Sequence, residues 1–441
     1  MKLDPEVFLK RQGIKRLLKA LDARQGTARF VGGAVRDLLL DVPHEDLDLA
    51  TTHAPEDVIQ RLEAKGIKAV PTGLDHGTIT AVSSGTVVEV TTLRSDVSTD
   101  GRRATVAFTG DWLEDAGRRD FTINALYADP YSGELFDYFG GLDDLASRTV
   151  RFIGEPLQRI AEDHLRILRY FRFHARYGHG NPDPHALEAC TARANDLMAL
   201  SRERIADELL KLFALDDPRP TVRLMLEHGI FMPVIPEIEN IGPLETLVDA
   251  EQAAGIEANP LRRFAALLPR QPQTAERIAA RLKLSNKARK RIATAADPSL
   301  GSEPRALAYR LGSESAIDRL LLAGRPEDAA GIKGWKPPRL PSAGVTLLRA
   351  VYRKGLKSPG RFGASRTRGS PPAFPTAGNS TSWSTRPCVK AGTPVRGIWR
   401  LPHCRAPSGS ALETGRISAL PAAPSRRSLA CPRIPAGSLR G

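Results

Sequence analysis

Apolar and polar positions follow two different periods along this chain, and the change between them marks its organisation. From residue 25 to about 145, apolar residues come in short alternating runs separated by brief helical stretches, as in Phe30-Val31, Leu47 and Leu49 between aspartates, and Thr86 to Thr92. That mixture predicts an α/β head over 25–150 with its own core. Past the turn-rich Asp137-Tyr-Phe-Gly-Gly-Leu142 the spacing becomes helical to about residue 330, as in Leu209 to Leu215, Val222 to His228 and Ala275 to Leu284. The predicted fold class is therefore α+β, with an all-helical remainder divided into a neck over 151–215 and a body over 216–355. At the start, MKLDPEVFLKRQGIKRLLKAL reads as one charged amphipathic helix within 1–24. It lacks the uninterrupted apolar centre of a signal peptide. No apolar run approaches the roughly 18 residues of a membrane span, so a soluble, cytoplasmic protein without membrane contact is expected.

Candidate chemistry concentrates in Phe30 to Thr52, FVGGAVRDLLLDVPHEDLDLATT. Phe30 and Val31 end a strand, Gly32 and Gly33 let backbone approach an anion, and Ala34 to Leu40 reads as a helix whose amides face it. Pro43 then breaks the helix. In Asp46-Leu47-Asp48-Leu49 the period of two puts both aspartates on one strand face and both leucines on the other. Adjacent carboxylates repel unless a cation lies between them, and carboxylate oxygens suit Mg²⁺. Alone, an Asp-x-Asp pair usually means a loop or a solvated strand face.

Three later segments bear on the same chemistry. Gly85-Thr-Val-Val-Glu-Val-Thr-Thr-Leu-Arg94 alternates again and places Glu89 on a strand, where an exposed glutamate without function fits the pattern equally well. Arg118-Arg-Asp-Phe-Thr-Ile-Asn-Ala-Leu126 offers two guanidiniums and a carboxylate before an apolar run. Ala161 to Ala175, AEDHLRILRYFRFHA, reads as a helix with Asp163, Arg166, Arg169 and Arg172 every three residues along one side and Leu165, Leu168 and Phe171 beside them. A carboxylate and a guanidinium on one stripe match the Watson–Crick edge of a base, although a surface helix laced with ion pairs has the same pattern. Ser201 reads as the N-cap of a supporting helix to Phe213.

Taken in this order, the glycine turn with Asp-x-Asp, the RRDFTINAL run and the Glu162-Asp163-x-x-Arg166 element resemble the polymerase-beta-like nucleotidyltransferases, in the form found in bacterial tRNA nucleotidyltransferases (the CCA-adding enzymes) and the related poly(A) polymerases. The resemblance covers roughly residues 10–340 and is dense over 28–178. It implies a nucleotidyltransferase head followed by a helical neck and body. It implies a metal site at Asp46 and Asp48, completed by Glu89 as a third carboxylate, and Mg²⁺ as cofactor. Gly33, Arg36 and Arg119 are implied at the nucleotide phosphates, Asp163 and Arg166 at the base, and Arg169 and Arg172 at phosphate or ribose. The implied reaction adds CMP and AMP from CTP and ATP to the 3′ end of tRNA without a nucleic-acid template and without an obligate protein partner. Poly(A) polymerases and enzymes adding only CC or only A share these motifs. A small-molecule adenylyltransferase has no need of the third element or of a long helical body.

Bulk charge misleads here. The net charge is +14, yet residues 329–441 hold 20 of the 64 Lys and Arg and one of the 50 acidic residues, Glu413. Residues 1–328 therefore carry 44 basic against 49 acidic side chains. Their densest basic stretch is Leu261 to Arg291, with ten Lys or Arg against Glu276, which on helices predicts a stripe for a phosphodiester backbone. After about residue 355 helical and strand periodicity ends. The tail over 356–441 scatters Cys388, Cys404, Cys431, Trp383 and Trp399 among Arg, Pro, Ser, Gly and Ala. Disorder is one reading of that composition. A GC-rich gene read out of frame from between about Pro341 and Lys357 is the other, and translating the alternative frames decides it. The cysteines lack the pairwise spacing of a zinc site or a disulfide framework.

Overall fold

The computed structural model describes residues 2–42, 47–99, 104–300 and 303–336. The tail beyond lies outside the described residues, as does Asp46. The chain begins with two short helices, α1 (Glu6–Leu9) and α2 (Ile14–Ala20), rather than the single helix its pattern predicts. Gly13 breaks them apart with φ +83°, a backbone conformation that L side chains avoid. Neither helix is a separate appendage, because Phe8, Ile14, Leu17 and Leu18 are buried in the main core.

The head follows: β1 (Ala28–Val31), α3 (Gly33–Leu39), β2 (Asp48–Thr51), α4 (Pro55–Ala64), β3 (Lys68–Gly73), β4 (Thr78–Ser83) and β5 (Thr86–Thr92). β6 (Arg94–Thr99) and β7 (Ala104–Phe108) form a separate antiparallel pair. After α5 (Trp112–Gly117) come β8 (Leu126–Ala128), β9 (Leu135–Asp137) and α6 (Gly141–Ala146). The main sheet has the order β3-β4-β5-β2-β1-β8-β9, in which, among the described residues, β2 and β5 are the one parallel pair of neighbours. Alternation sends Phe30, Leu49, Val88 and Val90 to one face, where α1 to α4 contribute to the same core. Val31, Ala50 and Tyr127 point to the other face and pack with Ala116 of α5 in a smaller cluster. Asp48 of β2 and its register partner Glu89 of β5 belong to this second face by the same alternation.

The remainder is helical: α7 (Pro156–Glu162), α8 (Arg166–Tyr177), α9 (Pro184–Ala192), α10 (Arg202–Phe213), α11 (Arg219–Glu227) and α12 (Gly242–Ala253). Then come α13 (Pro260–Ala266), α14 (Pro272–Arg281), α15 (Asn286–Ala295), α16 (Pro304–Leu311), α17 (Ser313–Leu322) and α18 (Pro326–Gly331). Packing continues across residue 215, where Phe213 of α10 stacks on Phe264 of α13 with centroids 5.9 Å apart. No helix among the described residues is long and apolar enough to cross a membrane.

The basic stretch 261–291 does not form the uniform stripe its composition predicts. Arg262 and Arg263 are buried, with Arg263 Nε 2.8 Å from Glu251 and Arg262 Nε 3.2 Å from Asp318. Arg291 also reaches Asp318 at 2.6 Å, Arg281 pairs with Glu237, and Arg289 pairs with Glu276. These guanidiniums neutralise acidic residues on neighbouring segments. Burial raises the Glu251 carboxyl above its usual range against the pull of both arginines, so the pairing is what makes that charge tolerable.

Candidate active site

The strand residues meet first. β2 begins at Asp48, and its parallel register with β5 sets Asp48 directly beside Glu89, tied by Glu89 N donating to Leu47 O at 2.9 Å. Leu47 and Leu49 are buried on the opposite side, as the alternation requires. Two carboxylates thus stand side by side on the open face of the sheet. Glu89 is exposed but adjacent to Asp48, which distinguishes it from a stray surface glutamate.

A glycine turn frames them. Gly32 has φ +63° and ψ −123°, a combination essentially confined to glycine, and its N–H donates to Leu126 O at 3.0 Å. A Cβ on Gly33 would lie 4.0 Å from Asp48 Oδ2 and 3.6 Å from Arg36 Nη2. Glycine there keeps the space over the carboxylate open. The helix after the turn starts at Gly33 and has seven residues, so its dipole acts over barely two turns.

Arg36 is more confined than a residue reaching only for phosphate. It is buried, its Nε donates to Asp37 at 2.8 Å, its Nη2 donates to the Tyr177 hydroxyl at 2.6 Å, and its Nη1 donates to Asn124 Oδ1. The Tyr177 hydroxyl in turn donates to Asp37 at 3.0 Å, and burial pushes it up to about 12. Arg36 thereby joins α3, the RRDFTINAL segment and the end of α8 while still lining the cleft.

In the RRDFTINAL segment, Arg119 donates from Nη2 to Asp115 at 3.1 Å and from Nε to the Tyr127 hydroxyl at 3.2 Å. A Cβ on Gly32 would stand 3.4 Å from its Nη1, so this guanidinium flanks the glycine turn. Burial alone would raise the Asp115 carboxyl, but Arg119 and Arg118 hold it down to about 2. Asp120 follows the same logic: burial opposes its charge, and Arg169 with Asn124 lowers it to about 2.

The Asp163 to Arg172 element departs from the single helix predicted over 161–175. α7 ends at Glu162, Asp163 is extended (φ −149°, ψ +106°), and α8 starts at Arg166. The Asp163 side chain causes the break by accepting from Leu165 N at 3.1 Å, the local capping bond that aspartate favours. Asp163 and Arg166 consequently do not share a stripe. Asp163 pairs with Arg204 of α10 at 2.8 Å, while Arg166 pairs with Glu162 at 2.5 Å and donates to Arg118 O at 3.1 Å. Arg169 and Arg172 do line the cleft. They are held there by Asp120 and Glu208, with Arg172 Nε 2.6 Å from Glu208. Leu165, Leu168 and Phe171 are buried as their spacing predicts.

The result is a cleft of about 1070 Å³ that unites Gly33, Arg36, Asp48, Glu89, Arg119, Arg169 and Arg172. Asp163 and Arg166 sit outside this lining, and Asp46 lies outside the described residues. The sequence reading missed Asp120, Asn124, Phe173 and Lys211, which also line the cleft. Ser201 caps α10 as expected, with Arg204 N 3.4 Å from its hydroxyl, but α10 also carries Lys211 and Glu208 to the site instead of serving only as a support.

An all-oxygen donor pair on adjacent strands, beside a glycine turn ringed by guanidiniums, defines a nucleotidyltransferase head. Residues 28–151 match the poly A polymerase head domain, and residues 181–241 match the probable RNA and SrmB-binding site of polymerase A. A CCA-adding enzyme of Streptococcus gordonii is 35% identical over 319 residues, covering 72% of this chain and 78% of that protein. The mitochondrial CCA tRNA nucleotidyltransferase 1 of Homo sapiens is 46% identical over 217 residues, 48% of this chain and 50% of that protein; the Mus musculus form is 44% identical over 235 residues, 52% and 54%. The chain thus spans about half the length of these mammalian relatives. Among solved structures, the Bacillus stearothermophilus CCA-adding enzyme in complex with CTP superposes with TM-score 0.60 at 28% identity, covering 75% of this chain and 82% of that one. This chain belongs to the family of CCA-adding tRNA nucleotidyltransferases and poly(A) polymerases. Its likeness reaches mitochondrial as well as bacterial members of that family.

Proposed function

We infer that this chain adds CMP and AMP from CTP and ATP to the 3′ end of tRNA. The observation that carries the reading is the Asp48–Glu89 register beside the Gly32–Gly33 turn. Those carboxylates, with Asp46, fit Mg²⁺ by donor chemistry. When bound, the ion supplies charge neutralisation at the triphosphate and a lowered pKa at the attacking RNA hydroxyl.

The chain's own groups do the positioning. The backbone at Gly32 and Gly33 admits the triphosphate close to Asp48, and Arg119 compensates its charge from the side of β8. Asp115 and Tyr127 keep Arg119 aimed at the turn. Arg169 and Arg172, anchored by Asp120 and Glu208, present positive charge toward the ribose and phosphates from α8. Arg36, which lines the cleft, fixes the turn against α8 through Tyr177 and Asp37.

Base selection by Asp163 and Arg166 requires exchange of their present partners, Arg204 and Glu162, for the edge of a bound cytosine or adenine. The named activity of the relatives supports CCA addition over A-tailing. The test is a tRNA transcript ending in CC, incubated with ATP and Mg²⁺. Addition of one AMP by the wild type, lost in Asp48→Ala while tRNA binding persists, is the expected result. Equal turnover by both proteins contradicts it.

A further inference from the structure

The strand order gives the cleft two sides. Asp48 on β2 has β1 and β8 on one flank, with the glycine turn and Arg119, and has β5 and β4 on the other. If the triphosphate occupies the first flank, in-line displacement requires the attacking hydroxyl to approach from the second. The acceptor strand must then run over β5.

On that flank, past Glu89, Val87 lies on the same strand face, about 7 Å along for two residues. It is 54% exposed, an apolar side chain left uncovered inside a polar cleft. Beyond it the strands turn through Ser84 and Gly85, both with positive φ as a type I′ hairpin demands. The turn between α1 and α2 is seated on this hairpin: Thr86 Oγ1 donates to Gln12 O at 2.6 Å and Ser83 Oγ donates to Gly13 O at 2.9 Å. A Cβ on Gly13 would stand 2.3 Å from Ser83 O, so the close seating depends on glycine. This seating brings Arg11 to the cleft rim at the far end of β5.

We propose that Arg11 binds a phosphodiester of the acceptor RNA strand next to its reacting 3′ end, with Val87 packing against the terminal ribose or base. The inference rests on the function inferred above and assigns the acceptor side of that same cleft. A cation at a rim, one hairpin away from the carboxylates, meets the backbone of a bound strand and carries no base preference. The N-terminal helices therefore belong to substrate binding as well as to the core.

Arg11→Gln and Val87→Asp test this against a tRNA transcript lacking CCA, with circular dichroism confirming the fold. Arg11→Gln is expected to raise the KM for tRNA about tenfold while leaving the KM for CTP and ATP within about twofold. The slope of log binding constant against log salt, measured with the transcript and no nucleotide, should become shallower by about 0.7 to 0.9. Val87→Asp should weaken tRNA binding with unchanged nucleotide KM. Unchanged tRNA binding and salt slope in Arg11→Gln, or a rise confined to the nucleotide KM, overturns the proposal. Were the wild type to add no nucleotide, the inferred function would fall. The salt slope would then still decide whether Arg11 contacts RNA.

Discussion

Arg169 donates from both Nε and Nη2 to one oxygen of Asp120, at 2.8 and 2.5 Å, and so ties helix α8 to the segment that follows Arg119. The other Asp120 oxygen accepts from Phe121 N and Asn124 Nδ2, each at 2.9 Å. One buried carboxylate thus sets the position of a guanidinium facing the cleft and of the asparagine that holds Arg36.

The acid response follows from this arrangement. Asp120 and Asp115 both sit near 2 in the folded chain against 3.8 unfolded, so the folded state binds fewer protons at acid pH. Their stabilisation is full above about pH 4 and is lost as pH falls through about 2, on the order of 2 kcal/mol per group. Urea unfolding at pH 5 and pH 3 should show a smaller drop for Asp120→Asn than for wild type. An equal drop contradicts the assignment.

At the carboxylates the separation of stability from activity is the diagnostic. Glu89→Ala removes an exposed charge from the open sheet face, so its melting temperature should hold, while nucleotide addition by Asp48→Ala and Glu89→Ala alike falls about a thousandfold or more. Asp46→Ala is expected to behave alike, with tRNA binding largely intact. Full turnover by any of the three sinks its metal role.

The two glycines of the turn should fail differently. Gly32→Ala forces a side chain into a conformation costing about 1–3 kcal/mol and should lower stability. Gly33→Ala meets only ordinary contacts, so it should fold normally yet raise the KM for CTP and ATP by narrowing the space over Asp48. Thermal melts and steady-state kinetics on both variants separate these outcomes.

Arg166→Ala should relax the choice between CTP and ATP and their competitors more than it lowers metal affinity. Competition between all four nucleotides on one tRNA measures it, and unchanged selectivity counts against a base-reading role.

In the helical part, Arg263→Met should cost about 3–5 kcal/mol, because it leaves Glu251 buried beside Arg262 alone. Urea denaturation reads this directly. A loss of tRNA affinity with unchanged stability would instead restore the basic stripe that composition suggested.

The head was legible because its signals are local. The period of two fixes which face of β2 and β5 carries Asp48 and Glu89, and a Gly-Gly turn between strand and helix needs no tertiary information. The partners of the arginines were not legible. Asp120 lies 49 residues from Arg169, and Tyr177 lies 141 from Arg36, distances over which only the folded sheet and α8 establish contact. Two helix breaks carry local signals. Gly13 inside an amphipathic pattern marked the break between α1 and α2. Asp163 before an apolar run marked a helix start, although a three-residue spacing of charges made it read as helix interior. The basic stretch misled for another reason, since composition counts arginines without showing the buried acids they face.

The most direct measurement follows the products made on a tRNA lacking CCA when CTP, ATP or both are supplied with Mg²⁺. The account predicts that CTP alone stops after two additions, that ATP alone adds nothing to this end, and that both together complete CCA and stop. A growing A-tail from ATP alone, or no addition under any condition, would contradict it.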